Sequence, residues 1–161
     1  LYPSRIINSI YFDNNLKMYN DSNEGIVPRK KIRIRTYQTK NFFNSNKSFK
    51  KETKITYYNY RYKEVEKFNF GEQNFFSGIH DQFYGLCMPN LNVLYKRNYY
   101  FAFNTRFTLD EDKLSNFSTK DKNFVLEIKS QKIDNTDYLK NIMPLPRSRF
   151  SKYCRGIELV N

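Results

Sequence analysis

The chain contains no tryptophan, a single histidine and two cysteines, with only five glycines and five prolines in 161 residues. Each shortage removes a class of explanation. Scarce glycine and proline argue against a disordered or linker-rich chain. Cys87 and Cys154 lie far apart and make no metal-ligand spacing, so both are expected as free thiols of a reducing compartment, the cytoplasm. His80 stands alone, and a histidine-based metal site or triad needs partners that the sequence does not supply, which leaves it an ordinary surface role. No run approaches the roughly 18 uninterrupted apolar residues of a membrane helix, and no signal peptide is visible. A GxxxxGK[ST] phosphate loop is missing, as are the HRD and DFG signatures, so any nucleotide would have to be gripped by side chains.

What the chain does hold is charge and aromatic rings. There are 28 basic against 16 acidic residues, a net charge of +12, with 14 tyrosines and 15 phenylalanines. That excess favours an anionic partner: nucleic acid, an acidic membrane surface or a phosphorylated substrate. The length suits one compact domain over 1–161. The first residue is Leu1 and a strand-like run follows almost at once, so a piece lacking an N-terminal portion is expected.

The charges repeat at every second position inside strand-like segments. In Lys31-Ile32-Arg33-Ile34-Arg35, the two-residue period of a strand puts Lys31, Arg33 and Arg35 on one face and the isoleucines on the other. Glu52 with Lys54, Arg106 with Thr108, and Glu127 with Lys129 share faces for the same reason. Alternation predicts strands near 6–13, 30–37, 49–58, 93–104, 105–110 and 123–130, with a further one at 61–68. A helical turn is expected over 14–19, a hairpin loop over 38–48, a helix over 72–86, and another over 135–142 ended by Pro144 and Pro146. Many short strands and few helices predict an antiparallel sheet closed or nearly closed on itself, with cationic faces turned inward around a polyanion.

Taken singly, the basic strand reads as a solvated outer face, and each Glu-x-Lys pair as a surface ion pair contributing about 0–1 kcal/mol. The repetition shifts the balance. Arg97 shares a face with Tyr95 and Tyr99, and Arg106 with Thr108 and Asp110; arginine forks suit phosphate oxygens met at two points. Glu127 lies among Phe124, Val125, Leu126 and Ile128, where a carboxylate is expected to be paired or to bind a hard cation. In the C-terminal segment, Phe150, Tyr153 and Ile157 are apolar anchors that would dock it, presenting Ser151 and Lys152 to a phosphate.

Taken together and in order, these segments resemble the VTC domain, the polyphosphate polymerase module of the triphosphate tunnel metalloenzyme fold, related to CYTH domains. The matching pieces are Ser9-Ile10-Tyr11-Phe12-Asp13, Lys31-Ile32-Arg33-Ile34-Arg35-Thr36-Tyr37, Glu52-Thr53-Lys54, Tyr95-Lys96-Arg97, Arg106-Phe107-Thr108-Leu109-Asp110, Leu126-Glu127-Ile128-Lys129 and Ser151-Lys152-Tyr153-Cys154. The resemblance implies an α+β, mainly antiparallel fold: a tunnel-forming β-barrel with a few short helices. It further implies transfer of the γ-phosphate of ATP to a growing inorganic polyphosphate chain, with a divalent metal, manganese or alternatively magnesium. By motif match the catalytic cations are Arg33, Arg35, Lys54, Arg97, Arg106 and Lys152, with Lys63, Lys129 and Ser151 binding substrate and Glu127 binding the metal. Two departures stand out: the expected Lys-x-Arg reads Lys63-Glu64-Val65, and the family's earlier Glu-x-Lys strand, upstream of Ser9, would lie before this chain begins.

The same resemblance allows a tunnel-type triphosphatase or polyphosphatase. A noncatalytic polyanion- or nucleic-acid-binding module is a third reading, but it needs the basic faces outward. The expectation is therefore ATP and polyphosphate as partners, with no nucleic acid and no membrane segment.

Overall fold

The computed structural model describes residues 2–37, 48–58, 60–69, 75–102, 105–116, 118–130, 141, 146 and 148–161. Strands form where side chains alternate. β1 (Arg5–Asp13), β2 (Arg29–Tyr37), β3 (Phe49–Thr56) and β4 (Arg61–Phe68) fall where the pattern places them. The turn expected over 14–19 extends into α1 (Lys17–Glu24). Beyond a 3-10 turn at Phe75–Ser77 come β5 (Ile79–Asp81), β6 (Gly85–Ala102), β7 (Thr105–Ser115), β8 (Thr119–Asp121) and β9 (Val125–Ser130), and α2 (Lys152–Val160) ends the fold. All pairings between these strands are antiparallel. The sheet order is β4-β3-β2-β1-β6-β7-β8, with β5 paired to β6 and β9 to β7. The architecture is α+β, mainly antiparallel.

Three expectations change. The helix over 72–86 is a hairpin in its described part: Asp81 Oδ1 accepts the backbone N–H groups of Phe83 and Tyr84 at 2.9 and 3.1 Å, a side-chain turn that competes successfully with helix. The strand expected from 93 starts at Gly85 instead and runs for 18 residues. Pro89 interrupts its pattern but sits where the β1–β6 register shifts at Tyr11/Phe12, a bulge that tolerates a residue with no N–H. Residues 38–47, 131–140 and 142–145, which carry most of the expected loop and of the helix over 135–142, lie outside the described residues.

The third change concerns closure. Among the described residues the sheet is open, with β4 as one end and β8 and β9 at the other, and no pairing joins them. β4 explains its own edge: Arg61 to Lys67 are all exposed and mostly charged, the composition that discourages further strand addition. The sheet nevertheless curls. From β3 to β9 is five strand-to-strand steps, about 24 Å in a flat sheet, yet Lys54 of β3 and Glu127 of β9 line one cleft. The strands therefore form a trough rather than a completed cylinder.

Ile10 and Phe12 of β1 stand opposite Ile34 and Ile32 of β2, and all four are buried in one core with Met18, Leu91, Val93 and Ile157. The C-terminal segment docks onto this core, as its apolar anchors predict, and does so as a helix. Ser151 caps α2, its Oγ accepting the Cys154 N–H at 3.3 Å. The Tyr153 hydroxyl donates to Asp13 Oδ2 at 2.5 Å, and its ring stacks on Tyr11 at 5.2 Å. Asp13 also accepts the N–H groups of Asn14, Met18 and Tyr19, so one carboxylate ties β1, α1 and α2 together. Gly156 permits the close approach, since a Cβ there would lie 2.5 Å from Leu91 Cδ2. Cys87 and Cys154 are buried free thiols, and His80 is exposed on β5. No helix among the described residues is long and apolar enough to cross a membrane.

Candidate functional site

Antiparallel register turns alternation along single strands into a continuous surface. Arg35 stands opposite Ser9 of β1, and Arg33 lies between Tyr11 of β1 and Glu52 of β3. Across the sheet, Arg97 faces Asp110, Thr108 faces Glu127, and Arg106 faces Lys129. Because directly opposed residues share a side, these groups point into the trough. The result is one cleft of about 2080 Å³, lined by 13 lysine and arginine side chains and only two carboxylates, Glu52 and Glu127, among the described residues.

All ten residues singled out by the sequence line this cleft: Arg33, Arg35, Lys54, Lys63, Arg97, Arg106, Glu127, Lys129, Ser151 and Lys152. They come from β2, β3, β4, β6, β7, β9 and the start of α2. The docked helix completes the wall. Lys31 Nζ donates to Ser151 Oγ at 2.7 Å, linking β2 to the helix cap. Lys152 reaches Asp110 on β7 and lies 5.0 Å from the Tyr95 ring centroid.

Two buried carboxylates organise the cations. Glu52 accepts from Arg33 Nε at 2.7 Å and Lys63 Nζ at 3.1 Å, with Arg35 Nη1 at 3.5 Å. Burial opposes its ionisation, but Arg33 and Arg35 outweigh that and bring its pKa down to about 2. The Arg35 fork is also fixed by the Ser9 hydroxyl at 2.9 Å and the Tyr95 hydroxyl at 3.2 Å. Asp110, completely buried, is the second centre: Arg97 and Lys152 both close on it. Burial again works against its charge, and the Arg97 hydrogen bond and Lys152 hold the carboxyl below its usual range. These guanidiniums are permanently charged and their orientation is set before any ligand arrives.

Neither centre was legible as such in the sequence. Glu52 reads there as half of a Glu-x-Lys pair, and Asp110 only as a residue on the face of Arg106 and Thr108. The signal available was parity alone. Tyr11 was likewise missed; its hydroxyl accepts from Arg33 at 3.1 Å, and its ring lies 5.8 Å beneath the same guanidinium.

Glu127 is a different kind of carboxylate. It is about 41 % exposed, 3.2 Å from Lys129 and 3.7 Å from Arg97. Burial raises its pKa less than Lys129 and Arg97 lower it, so it stays ionised. Among the described residues no three histidine, cysteine or acidic groups gather around a common point. A cage made wholly of protein does not fit here. One accessible, ionised carboxylate does suit a hard cation that arrives with phosphate oxygens of its own.

Comparison with known proteins bears on the fold and the family. No curated protein matches the chain. Among solved structures it is similar to the PH1819 protein from Pyrococcus horikoshii OT3, with a TM-score of 0.55 and 17% identity over 98% of this chain and 86% of that one, a likeness of fold. The family model for the VTC domain matches residues 2–161, and this chain therefore belongs to the VTC domain family.

Proposed function

We propose that the chain is a polyphosphate polymerase, transferring the γ-phosphate of ATP to an inorganic polyphosphate chain lying in the cationic cleft. Family membership supports a polyphosphate-related role. The observation that carries the reading is the convergence of six cations, Arg33, Arg35, Lys54, Arg97, Arg106 and Lys152, on one cleft from four strands and a helix. Phosphoryl transfer asks the protein chiefly for alignment and for neutralisation of charge spread over phosphate oxygens. Guanidiniums locked by Glu52 and Asp110 provide both without reorganising during the reaction.

The charge state of the carboxylates supports one direction of reaction over the other. Hydrolysis is helped by a general base that can take a proton from water near neutral pH. Glu52, Asp110 and Glu127 are all held below the ordinary carboxylate range, so none is suited to that task. A terminal phosphate oxygen of a polyphosphate chain is already ionised and needs no base. This favours chain growth over hydrolysis, with in-line attack on the γ-phosphorus forming the new P–O bond as the bond to ADP breaks.

Glu127 would hold a divalent ion, manganese or magnesium, in company with substrate phosphates. That ion supplies further screening of phosphate charge when bound. Lys129, Lys63 and Ser151 would steady neighbouring phosphate groups. Incubating the protein with ATP and manganese tests the reading: polymer longer than triphosphate supports it. Release of free phosphate without polymer would favour the hydrolase instead.

A further inference from the structure

The charge of the cleft is unevenly compensated along its length. Reading across β2, β3 and β4, Arg33 is opposed by Glu52, the row that contains the carboxylate. The next row toward the β3–β4 turn is Lys31, Lys54 and Lys63; the one after it is Arg29, Thr56 and Arg61. Five cations thus occupy two consecutive cross-strand rows that contain no carboxylate. Like charges set directly opposite one another destabilise a sheet, and the side-chain pKa values lie in the direction such crowding gives. Burial lowers the Lys54 pKa and Arg61 and Arg33 lower it further; Arg29 is pushed down by burial and then by Arg149 and Arg61. Arg149 is brought to this end by donating from Nη2 to the Ser22 carbonyl at 2.6 Å.

We infer that this end of the cleft is a second phosphate-chain subsite, in which Lys31, Arg61 and Arg149, next to Lys54, grip phosphates beyond those held at the Glu52 and Asp110 clusters. The inference rests on the polyphosphate reading above and extends it to chain-length selectivity. Lys31, Lys54, Arg61 and Arg149 line the same cleft as the central cations, so one linear anion can follow it from one region into the other. A string of phosphates offers charge at every unit and no bases. The rows themselves are cationic: Tyr62, which also lines the cleft, stands opposite Ile55 on the alternate parity from Lys54 and Lys63, and its ring is already stacked with Tyr57 at 6.3 Å. A single-stranded oligonucleotide would draw on the exposed tyrosines of this turn rather than on the cationic rows, and it is the competing occupant that the test includes.

The test compares inorganic tripolyphosphate, long-chain polyphosphate and a single-stranded oligonucleotide on wild-type protein and on an R61Q/R149Q double variant. Both side chains are exposed, and thermal melting establishes that the variant is folded. Long-chain polyphosphate is expected to bind wild-type protein more tightly than tripolyphosphate, and the variant to lose about tenfold for the long chain only, because fewer charges are neutralised along it. Equal loss for both phosphates, or no loss for either, overturns the subsite. So does an oligonucleotide that outcompetes long-chain polyphosphate on wild-type protein. Failure of tripolyphosphate to bind the wild type would instead sink the polymerase reading, while the long-chain arm still decides the subsite.

Discussion

Arg97 holds Asp110 through two parallel hydrogen bonds, Nε to Oδ1 at 2.6 Å and Nη2 to Oδ2 at 2.7 Å. Lys152, from α2, closes on the same carboxylate at 2.6 Å. One buried acid thus fixes two cleft cations and fastens the C-terminal helix to the sheet. Its own solvation is gone, so its worth lies in arranging positive charge rather than in free energy gained from pairing.

Replacing Asp110 with Asn should leave Arg97 and Lys152 without their common counter-charge while preserving shape. A loss of about 3–5 kcal/mol in unfolding free energy is expected, the scale for breaking a buried pair from one side. Urea denaturation measures it. A loss below about 1 kcal/mol would mean that the two cations find other partners and that Asp110 does not organise them.

Glu52 sets the acid limb of stability. Its pKa falls from an ordinary 4.5 to about 2 on folding, so between those values the unfolded chain binds more protons than the folded one. Its contribution is therefore complete above about pH 4.5 and is lost as pH drops toward 2. A shift of that size corresponds to about 3 kcal/mol. Unfolding free energy measured from pH 6 to pH 2 should fall less steeply in Glu52→Gln than in the wild type; identical slopes would contradict the assignment.

Glu127 separates metal-dependent chemistry from binding. Glu127→Gln should abolish manganese-dependent polymer synthesis while polyphosphate still binds, because the cations that hold the chain are untouched. Synthesis assayed beside a direct binding titration distinguishes the two effects. Normal synthesis by this variant removes the proposed metal role.

Much of the sheet was readable because a two-residue period survives in the sequence itself: Arg33 and Arg35 against Ile32 and Ile34 announces both a strand and its two faces. What escaped depends on partners distant along the chain. Glu52 meets Arg33 across 19 residues of sequence and Tyr153 meets Asp13 across 140, and no local pattern encodes either register. The expected helix over 72–86 failed for a local reason of another kind, since the Asp81 side chain offers the backbone a turn. Closure into a barrel was inferred from the number of strands, but closure requires the two end strands to meet, and those described here remain unpaired with each other. The residues expected from the family motifs line one cleft because parity keeps those of each strand on a single face; the two carboxylates that aim them depend on partners across strands.

The most direct measurement is a crystal structure of the protein soaked with inorganic tripolyphosphate. Phosphate density is expected inside the trough, within hydrogen-bond reach of Arg33, Arg35, Arg97 and Lys152. Phosphates bound only on the outer surface, with that inner arginine cluster still closed on Glu52 and Asp110 and touching no ligand, would contradict it.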